Sequence, residues 1–308
     1  MKPSLIVHGG AWNIPDAEVE ACQAGCRRAL EAGWQILRRG GPALDAVEAT
    51  IVVLEDDTTF DAGTGSHLNR DGRVQLDAIV MDGATLRAGA VAAVERIRNP
   101  IRLARRVLES CEHMMLVGAG AEQFAAEQGL SLCDAAQLII ERERERWQAH
   151  QQQERCPFCA AGTVGAVAHD AAGNLVSGTS TGGTCCKLPG RVGDSPLIGC
   201  GCYADIEAGG VSCTGHGEAI MKIVMAHTAC ELLRAGVPPA SAKSGSPENL
   251  PQAVAQACVR MLAARTGGTG GLILLDRNGT PGFAFNTPRM AYGYVAPDGS
   301  FVISTEDH

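Results

Sequence analysis

The spacing of apolar positions along the chain predicts short buried strands and amphipathic helices. An apolar run at residues 5–7 enters the pair Gly9-Gly10, which is typical of a buried strand that ends in a tight turn. Helical periodicity follows over residues 16–39 and over about 42–54, with paired glycines between them that are typical of a helix end. The first part of the chain therefore predicts one strand and two packed helices.

The rest of the chain groups its strands and helices in blocks. Strand patterns occupy residues 74–83, 162–169, 175–180, 272–276, 282–285 and 292–296, and helical patterns occupy residues 100–109, 119–129, 133 onward, 217–234 and a stretch that ends at about 265. The two strands between 162 and 180 are typical of a hairpin. Because the blocks do not alternate strictly, the pattern favours an α+β class, with layered sheets and helices outside them, over a doubly wound fold.

A polar segment at about residues 141–161 predicts a linker. Residues 141–146 alternate Glu and Arg, and residues 151–155 are Gln, Glu and Arg, which makes the stretch too polar to bury a face in a core. Its first half is also compatible with a solvated surface helix. No internal repeat is evident, and we interpret residues 1–308 as a single domain.

Composition and charge narrow the class of partner. The 308 residues are 45% hydrophobic and 19% charged, with a formal net charge of -8. An acidic chain argues against nucleic-acid binding and favours a small-molecule substrate. No apolar run approaches the roughly 18 to 20 residues of a membrane helix, and the first residues lack a signal-peptide pattern, so we expect a cytoplasmic protein without a membrane partner.

The chain contains thirteen cysteines. An odd number in a chain of this size argues against a secreted disulfide framework, and most are expected to be reduced core residues. Cys22 and Cys26, one helical turn apart, are predicted in the core. A zinc site or a redox pair remains an alternative for the closely spaced cysteines Cys156, Cys159, Cys185, Cys186, Cys200 and Cys202.

Three loops are rich in glycine, hydroxyl groups and charge, at residues 179–183, 189–196 and 212–218. Glycine-rich turns let a backbone approach a ligand closely and direct its N–H groups at an anion. Arg191 and Asp194, three residues apart, could hold a carboxylate and an ammonium group respectively. An ordinary salt bridge within the loop is the alternative.

Together with the strand that begins at Thr163, these loops resemble the plant-type asparaginases, also called isoaspartyl peptidases. Five motifs occur in the order and approximate spacing of that family, from His8 to beyond Thr287: residues 8–12, 162–168, 179–183, 190–196 and 214–218. The resemblance implies an N-terminal-nucleophile hydrolase with a four-layer αββα sandwich, made as a precursor that cleaves itself. It also implies a homodimer of the cut unit.

The resemblance assigns the reaction to named residues. Thr163 matches the nucleophile, and Gly162 matches the residue whose carbonyl is attacked during maturation, which divides the precursor into chains 1–162 and 163–308. Thr181 matches the second active-site threonine, which supports Thr163. Thr214 and Gly215 match the oxyanion-hole donors, through a hydroxyl and a backbone N–H.

The same family places Arg191 on the α-carboxylate and Asp194 on the α-ammonium of the substrate. L-Asparagine and β-aspartyl dipeptides are the implied substrates. The sequence shows no obvious His-Asp relay for the weakly nucleophilic hydroxyl of Thr163, and the freed amine of that residue would supply a base with a pKa near 8. A glycosylasparaginase-like amidase and a non-catalytic thiol or redox protein on the same fold are the alternatives.

The resemblance also implies a structural sodium ion, and no cofactor for catalysis. Backbone carbonyl oxygens suit such a hard cation. The matching positions lie in what the sequence indicates as a loop, namely Leu54, Glu55, Asp57, Phe60, Ala62 and Thr64.

Three features of the motifs leave open questions. Asp61 stands where the family usually has Asn near the substrate, and an ionised carboxylate only accepts hydrogen bonds where an amide also donates. His216 could act as a base, although the family makes it a structural neighbour of the oxyanion loop. The glycine-rich residues 266–271 precede a predicted strand and not a helix, so they are expected to line the substrate pocket and not to bind a nucleotide.

Overall fold

The computed structural model describes residues 2–152, 162–236 and 249–307 of the chain. Within these residues, twelve strands form two sheets, so the fold is mixed α/β. The strands are β1 (Ser4–Trp12), β2 (Leu76–Asp82), β3 (Ala88–Val94), β4 (Met115–Val117), β5 (Val164–His169), β6 (Leu175–Thr181), β7 (Cys202–Asp205), β8 (Gly209–Gly215), β9 (Gly270–Asp276), β10 (Pro281–Phe285), β11 (Arg289–Val295) and β12 (Phe301–Ser304).

The larger sheet has eight strands in the order β12-β11-β1-β5-β6-β2-β3-β4. Its neighbours are antiparallel apart from β3 and β4, which run parallel. The predicted hairpin is confirmed as β5 and β6, in which Val164 pairs with Ser180. This register places Thr163, just before β5, beside Thr181 at the end of β6.

The smaller sheet has four antiparallel strands in the order β10-β9-β8-β7. Its strands contact β1, β2, β5 and β6 of the larger sheet. A buried cluster lies between the sheets, where Ile6, Val167 and Tyr292 meet Ile273 and Leu275 of β9. Burial of this apolar surface stabilises the contact of the two sheets.

Helices contact each sheet. The helices are α1 (Asp16–Leu37), α2 (Ala43–Asp56), α3 (Pro100–Ser110), α4 (Gly118–Glu127), α5 (Glu141–Gln151), α6 (Gly217–Ile223), α7 (Met225–Ala235) and α8 (Leu250–Thr266). The first three contact the larger sheet, and α6 to α8 contact the smaller one. Helices α1 and α2 pack closely because Gly33 has no side chain where a Cβ would collide with Thr50.

The prediction of a single helix over residues 217–234 is wrong. The backbone of Val224 has φ of 48° and lies in the left-handed region, which separates α6 from α7. A β-branched residue in this region is an outlier whose cost the surrounding packing must offset. Strands β3, β4, β7, β8 and β12 were also not predicted, because their short or glycine-rich sequences carry little alternation.

The polar segment after residue 140 is folded in its first half. Residues 135–138 form a separate 3₁₀ helix, and α5 follows it, so the helix predicted from 133 onward is in two parts. Contrary to the expectation that this stretch buries no face, Glu143 is only 1% exposed and Trp147 packs against the core. The remainder of the predicted linker after residue 152, with Cys156 and Cys159, lies outside the described residues.

The structure tests two expectations from composition, one about membrane-spanning helices and one about buried cysteines. Among the helices that the structure describes, none combines the length and apolar character needed to cross a membrane. Cys22 and Cys26 lie buried in the core, as predicted, and burial raises the pKa of Cys22 to about 12. A thiol with a raised pKa forms little of the reactive thiolate, which argues against redox chemistry at this pair.

Candidate active site

Two threonine hydroxyls meet where the β5–β6 hairpin ends. Thr163 is 3% exposed, and its Oγ1 donates a hydrogen bond to Oγ1 of Thr181 at 3.1 Å. The Thr181 oxygen also accepts from the backbone N–H of Gly183 at 2.9 Å. This arrangement fixes the direction of the Thr163 hydroxyl, as a predicted supporting role for Thr181 requires.

Gly162 lies in a crowded position beside Gly10, where β1 does not end in the predicted tight turn but continues to Trp12 with a register irregularity between His8 and Ala11. A Cβ at Gly10 would lie 2.7 Å from Cα of Gly162, and Gly10 has φ of +104°. Both the close approach and the backbone conformation require glycine here. A Cβ at Gly162 would in turn lie 3.4 Å from Asp61, so the loop of Asp61 forms another wall around the scissile position.

The predicted oxyanion donors lie at the end of β8. Thr214 is buried, and its Oγ1 accepts the backbone N–H of Ala11 at 3.2 Å. Because β1 pairs His8 with Gly165 in antiparallel register, Ala11 lies toward the start of β5, where Thr163 is found. The Thr214 hydroxyl proton therefore remains to be donated near the nucleophile. Gly215 has φ of +131°, and a Cβ there would collide with Gly270.

Arg191 and Asp194 both lie close to Gly217. A Cβ at Gly217 would be 2.9 Å from Oδ1 of Asp194 and 3.0 Å from Nη2 of Arg191. The guanidinium of Arg191 makes a bidentate pair with Glu218, at 2.9 Å through Nε and 2.8 Å through Nη2. The structure thus brings the two predicted substrate residues together, with Glu218 as the resident partner of Arg191.

Asp194 is a buried carboxyl group with spare hydrogen-bonding capacity. It is 4% exposed, and its Oδ2 accepts no hydrogen bond within the described residues. Burial raises the pKa of Asp194 to about 7, although the positive charge of Arg191 partly opposes this shift. A substrate ammonium at Oδ2 would stabilise the ionised form, so ligand binding and deprotonation of Asp194 are coupled.

Asp61 belongs to a buried polar network that joins its loop to α5. Its Oδ1 accepts the backbone N–H of His67 at 2.8 Å, and Nδ1 of His67 lies 2.6 Å from Oε2 of Glu143. Burial raises the pKa of Asp61, whereas its Oδ2 has no hydrogen-bond partner in the described residues. The backbone carbonyl of Asp61 accepts the N–H of Gly182 at 2.9 Å, which connects this network to the residue after Thr181.

Within that network, neighbouring charges lower the pKa of Glu143 and raise the pKa of His67. Burial favours the neutral form of Glu143, but its hydrogen bond to His67 and the nearby Arg142 and Arg146 outweigh burial and lower the pKa of Glu143 to about 2. Burial also works against protonation of His67, yet the charges of Asp61 and Glu143 raise its pKa above the ordinary value. Both shifts favour the ionic form of the pair of His67 and Glu143.

A buried chain of side chains behind Thr163 was not assigned from the sequence. Nε2 of His8 lies 2.8 Å from Oγ of Ser212, which lies 2.8 Å from Oγ1 of Thr179. Burial lowers the pKa of His8 to about 3, so its imidazole is neutral. The sequence shows His8 only as part of a strand and turn, and its contact with Ser212 depends on the pairing of the two sheets.

A second unassigned group is the buried lysine next to the β5–β6 hairpin. Lys187 is 5% exposed, and its Nζ donates to the backbone carbonyl of Gln75 at 2.7 Å. Burial lowers the pKa of Lys187, opposed by the charges of Asp77 and Asp61. A Cβ at Gly183 would lie 2.8 Å from that nitrogen, so this lysine adds positive charge close to Thr181.

The six positions predicted for sodium lie where α2 ends and turns toward the active site. Leu54 and Glu55 belong to the last turn of α2 and not to a loop, which corrects that part of the sequence interpretation. The carbonyl of Glu55 accepts the N–H of Thr64 at 2.8 Å, and that of Asp57 accepts the N–H of Phe60 at 3.1 Å. These bonds fold the segment back on itself and leave each carbonyl oxygen one further lone pair.

The remaining candidates lie at the edge of the site. Nε2 of His216 is 3.6 Å from Glu218, and the backbone N–H of His216 donates to Thr269 at 2.9 Å, so this histidine contacts the glycine-rich segment as well as the Arg191 partner. That segment leads into β9, as predicted. No cluster of three or more His, Cys, Asp or Glu side chains suited to a metal occurs in the described parts of the chain, Cys200 and Cys202 included.

Comparison with known proteins places the whole chain among amide hydrolases. A family model described as asparaginase, Asparaginase_2, matches residues 1–303. An isoaspartyl peptidase/L-asparaginase from Xenopus laevis is 42% identical over 301 residues, covering 97% of this chain and 94% of the relative. The human protein of that name is 43% identical, covering 91% and 88%. A plant-type L-asparaginase from Pyrococcus abyssi is 41% identical, covering 95% and 96%.

Proposed function

Because the chain belongs to the Asparaginase_2 family of asparaginases, we propose that it is a threonine hydrolase of L-asparagine and β-aspartyl dipeptides that first cleaves itself. The observation that carries this proposal is the 3.1 Å hydrogen bond between the Thr163 and Thr181 hydroxyls, directly after Gly162. The relatives named isoaspartyl peptidase/L-asparaginase support the choice of substrates.

Maturation in this proposal begins at the intact bond between Gly162 and Thr163. The Thr163 Oγ1 attacks the Gly162 carbonyl, the C–N bond breaks and its nitrogen takes the proton that the hydroxyl loses. Water then hydrolyses the resulting ester, which releases the Gly162 carboxylate and restores the hydroxyl. The product is a chain of residues 1–162 and a chain of residues 163–308 whose terminal amine is adjacent to its own hydroxyl.

Turnover of asparagine uses the groups assembled around that amine. Asp194 and Arg191 hold the substrate's ammonium and carboxylate, while the Thr163 amine accepts the hydroxyl proton during attack on the side-chain amide. The hydroxyl of Thr214 and the N–H of Gly215 stabilise the oxyanion, and loss of one such donor typically lowers turnover by roughly 10²- to 10³-fold. Ammonia leaves first, and water then releases aspartate from the ester.

An assay of the cut protein on three substrates tests the proposal. We expect hydrolysis of L-asparagine and of β-aspartyl-leucine, with little activity on an asparagine that carries an N-linked sugar. Preference for the glycosylated substrate would instead support the glycosylasparaginase-like alternative. Failure of the cut protein to hydrolyse any of them would favour a non-catalytic protein on this fold.

We extend the proposal to the arrangement of the layers. Helices α1 to α3 contact the larger sheet, the two sheets contact each other, and α6 to α8 contact the smaller sheet. These contacts support a four-layer αββα sandwich of the N-terminal-nucleophile type. The homodimer of cut units and the cytoplasmic location stay predictions, and light scattering after size exclusion tests the first.

The end of α2 and the segment after it are also proposed to hold sodium, through the backbone carbonyls of Leu54, Glu55, Asp57, Phe60, Ala62 and Thr64. The hydrogen bond from Thr64 to Glu55 closes the segment around several carbonyl groups, and a hard cation suits such oxygens. The ion would shape the loop of Asp61 without taking part in the reaction. A higher thermal midpoint in sodium chloride than in choline chloride of equal concentration supports this assignment, and equal midpoints contradict it.

A further inference from the structure

A cavity of about 240 Å³ lies beside Gly162. Its lining includes the aromatic residues Trp12 and Phe60, the arginines Arg142 and Arg146 of α5, and the acidic residues Glu18 and Asp61. The proposed roles of Thr163, Arg191 and Asp194 do not use this space. Aromatic and guanidinium groups in one lining suit a ligand that has both an apolar side chain and a carboxylate.

The chemistry of the Thr163 amine indicates which part of a substrate reaches this cavity. In the proposed hydrolysis, the nitrogen expelled from the substrate takes its proton from that amine. The same amine is the atom bonded to Gly162 before maturation. The expelled nitrogen is therefore expected on the Gly162 side of Thr163, where this cavity lies. Ammonia needs no further room, whereas the amino acid released from a β-aspartyl dipeptide does.

Considering the described residues alone, the two arginines have donors that are not used by other side chains. Both pair with Oε1 of Glu143 at 2.8 Å, Arg142 through Nε and Arg146 through Nη1. Within the described residues, the two Nη groups of Arg142 donate no hydrogen bond, whereas Nη2 of Arg146 lies 3.7 Å from Glu18. The outer edge of the Arg142 fork matches the geometry of a carboxylate.

Helix α5 is fastened to this cavity by the network of Asp61, His67 and Glu143. Glu143 is 1% exposed and lies 2.6 Å from His67, whose backbone N–H binds Asp61. These contacts are made among residues of the 1–162 chain. They do not depend on the bond between Gly162 and Thr163, so the arginines retain their anchor after cleavage.

We infer that this cavity is the subsite for the leaving amino acid of a β-aspartyl dipeptide. Its apolar side chain would pack against Trp12 and Phe60, and its α-carboxylate would bind Arg142, with Arg146 adding positive charge. The inference rests on the proposed hydrolase function and adds the part of the substrate that lies beyond the scissile amide.

Three substrates and two variants test the inference on fully cut protein. The substrates are β-aspartyl-leucine, its C-terminal amide and L-asparagine, and the variants are Arg142→Gln and the control Arg144→Gln, an exposed position on the same helix. In the wild type, kcat/KM for the dipeptide is expected to exceed that for its amide at least about tenfold, since a hydrogen bond between charged groups is lost. Arg142→Gln should abolish this difference, and Arg144→Gln should keep it.

The ratio of dipeptide to asparagine efficiency gives the second readout. It should fall at least about tenfold in Arg142→Gln, mainly through KM, and remain unchanged in Arg144→Gln. Equal wild-type efficiency on the dipeptide and its amide would overturn the inference, as would a difference that survives in Arg142→Gln. If the wild type hydrolysed none of the three substrates, the proposed function itself would be wrong.

Discussion

The carboxylate of Asp61 is buried next to Gly162, and among the described residues only its Oδ1 has a hydrogen-bond partner. Burial raises its pKa, so ionisation of Asp61 lowers stability as the pH rises from the unfolded value near 3.9 through the folded value. Asp61→Asn, made in a Thr163→Ala background that keeps the chain whole, should raise the free energy of unfolding at pH 8 by about 1 to 3 kcal/mol. Urea titrations at several pH values measure this difference.

The stability difference caused by Asp61→Asn should shrink as the pH falls, because the carboxyl of Asp61 becomes neutral. The backbone N–H of His67 can donate to a side-chain oxygen of Asp61 or of the substituted Asn, so this hydrogen bond should not contribute to the stability difference. A stability difference that is constant from pH 5 to pH 8 would show that the charge of Asp61 is not its cause.

The raised pKa of Asp194 predicts that substrate binding depends on pH. Burial raises its pKa to about 7, so the carboxylate that binds the substrate ammonium is present above that pH and is lost below it. The value of kcat/KM for L-asparagine should therefore rise with pH through about 7. The amine that cleavage would free at Thr163 has a pKa near 8 in model compounds, and its titration would affect every substrate.

Succinamate lacks the α-ammonium group and isolates the contribution of Asp194. The ratio of kcat/KM for asparagine to that for succinamate cancels the Thr163 amine, and we expect it to rise about tenfold per pH unit below the pKa of Asp194. Rate measurements from pH 5 to pH 9 supply both profiles. A ratio independent of pH would contradict the assigned role of Asp194.

At the residue scale, motifs predicted the neighbours of Thr163 well but not its surroundings. Thr181 lies where the hairpin register requires, since a turn between two adjacent strands is a local property. His8, His67 and Lys187 are buried near the site through contacts between distant segments. Their sequence positions, in a strand and in loops, carry no signal of those partners.

Helix α5 has a polar sequence but packs one face against the rest of the protein. Besides the packing of Trp147, its contacts include the buried carboxylate of Glu143, and removing one partner of a buried ion pair typically costs roughly 3 to 5 kcal/mol. Glu143→Ala should therefore release α5 and accelerate tryptic cleavage within residues 142–146 at least about tenfold. Glu145→Ala, which changes an exposed position on the same helix, is the control.

The docking of α5 should also depend on pH. The raised pKa of His67 means that its stabilising charge is fully present below about pH 6.5, the unfolded value, and is lost as the pH rises through the folded pKa. Tryptic cleavage of the wild type within residues 142–146 should become faster at high pH. The pH dependence of trypsin itself is corrected for with an unstructured peptide substrate. Identical rates in the Glu143→Ala and wild-type proteins would mean that this carboxylate does not dock the helix.

Other elements show which features the sequence patterns could predict and which they could not. The amphipathic periodicity of α1, α2, α3 and α8 predicted their existence and most of their bounds. It could not predict the break at Val224, because the packing of α6 and α7 and not local preference favours its left-handed backbone. Strands β7 and β8 contain cysteine and glycine in place of alternating apolar residues and were missed for that reason.

At the scale of the whole molecule, the groups proposed to act in catalysis come together because two sheets meet. Thr163 and Thr181 lie on the larger sheet, while Thr214 ends a strand of the smaller one. The hydrogen bond from Ala11 to Thr214 crosses between the sheets. Residue patterns predicted layered sheets, and the order of strands within them followed only from the structure, since pairing depends on contacts remote in sequence.

The central claim is that Thr163 cuts the chain and then serves as the nucleophile. Mass spectrometry of the purified protein, beside a Thr163→Ala variant, tests it most directly. The wild type should yield a fragment that begins at Thr163 and hydrolyse L-asparagine, whereas Thr163→Ala should remain an inactive chain of 32.0 kDa. A Thr163→Ala protein that is cut or active, or an uncut wild type that hydrolyses asparagine, would contradict the account.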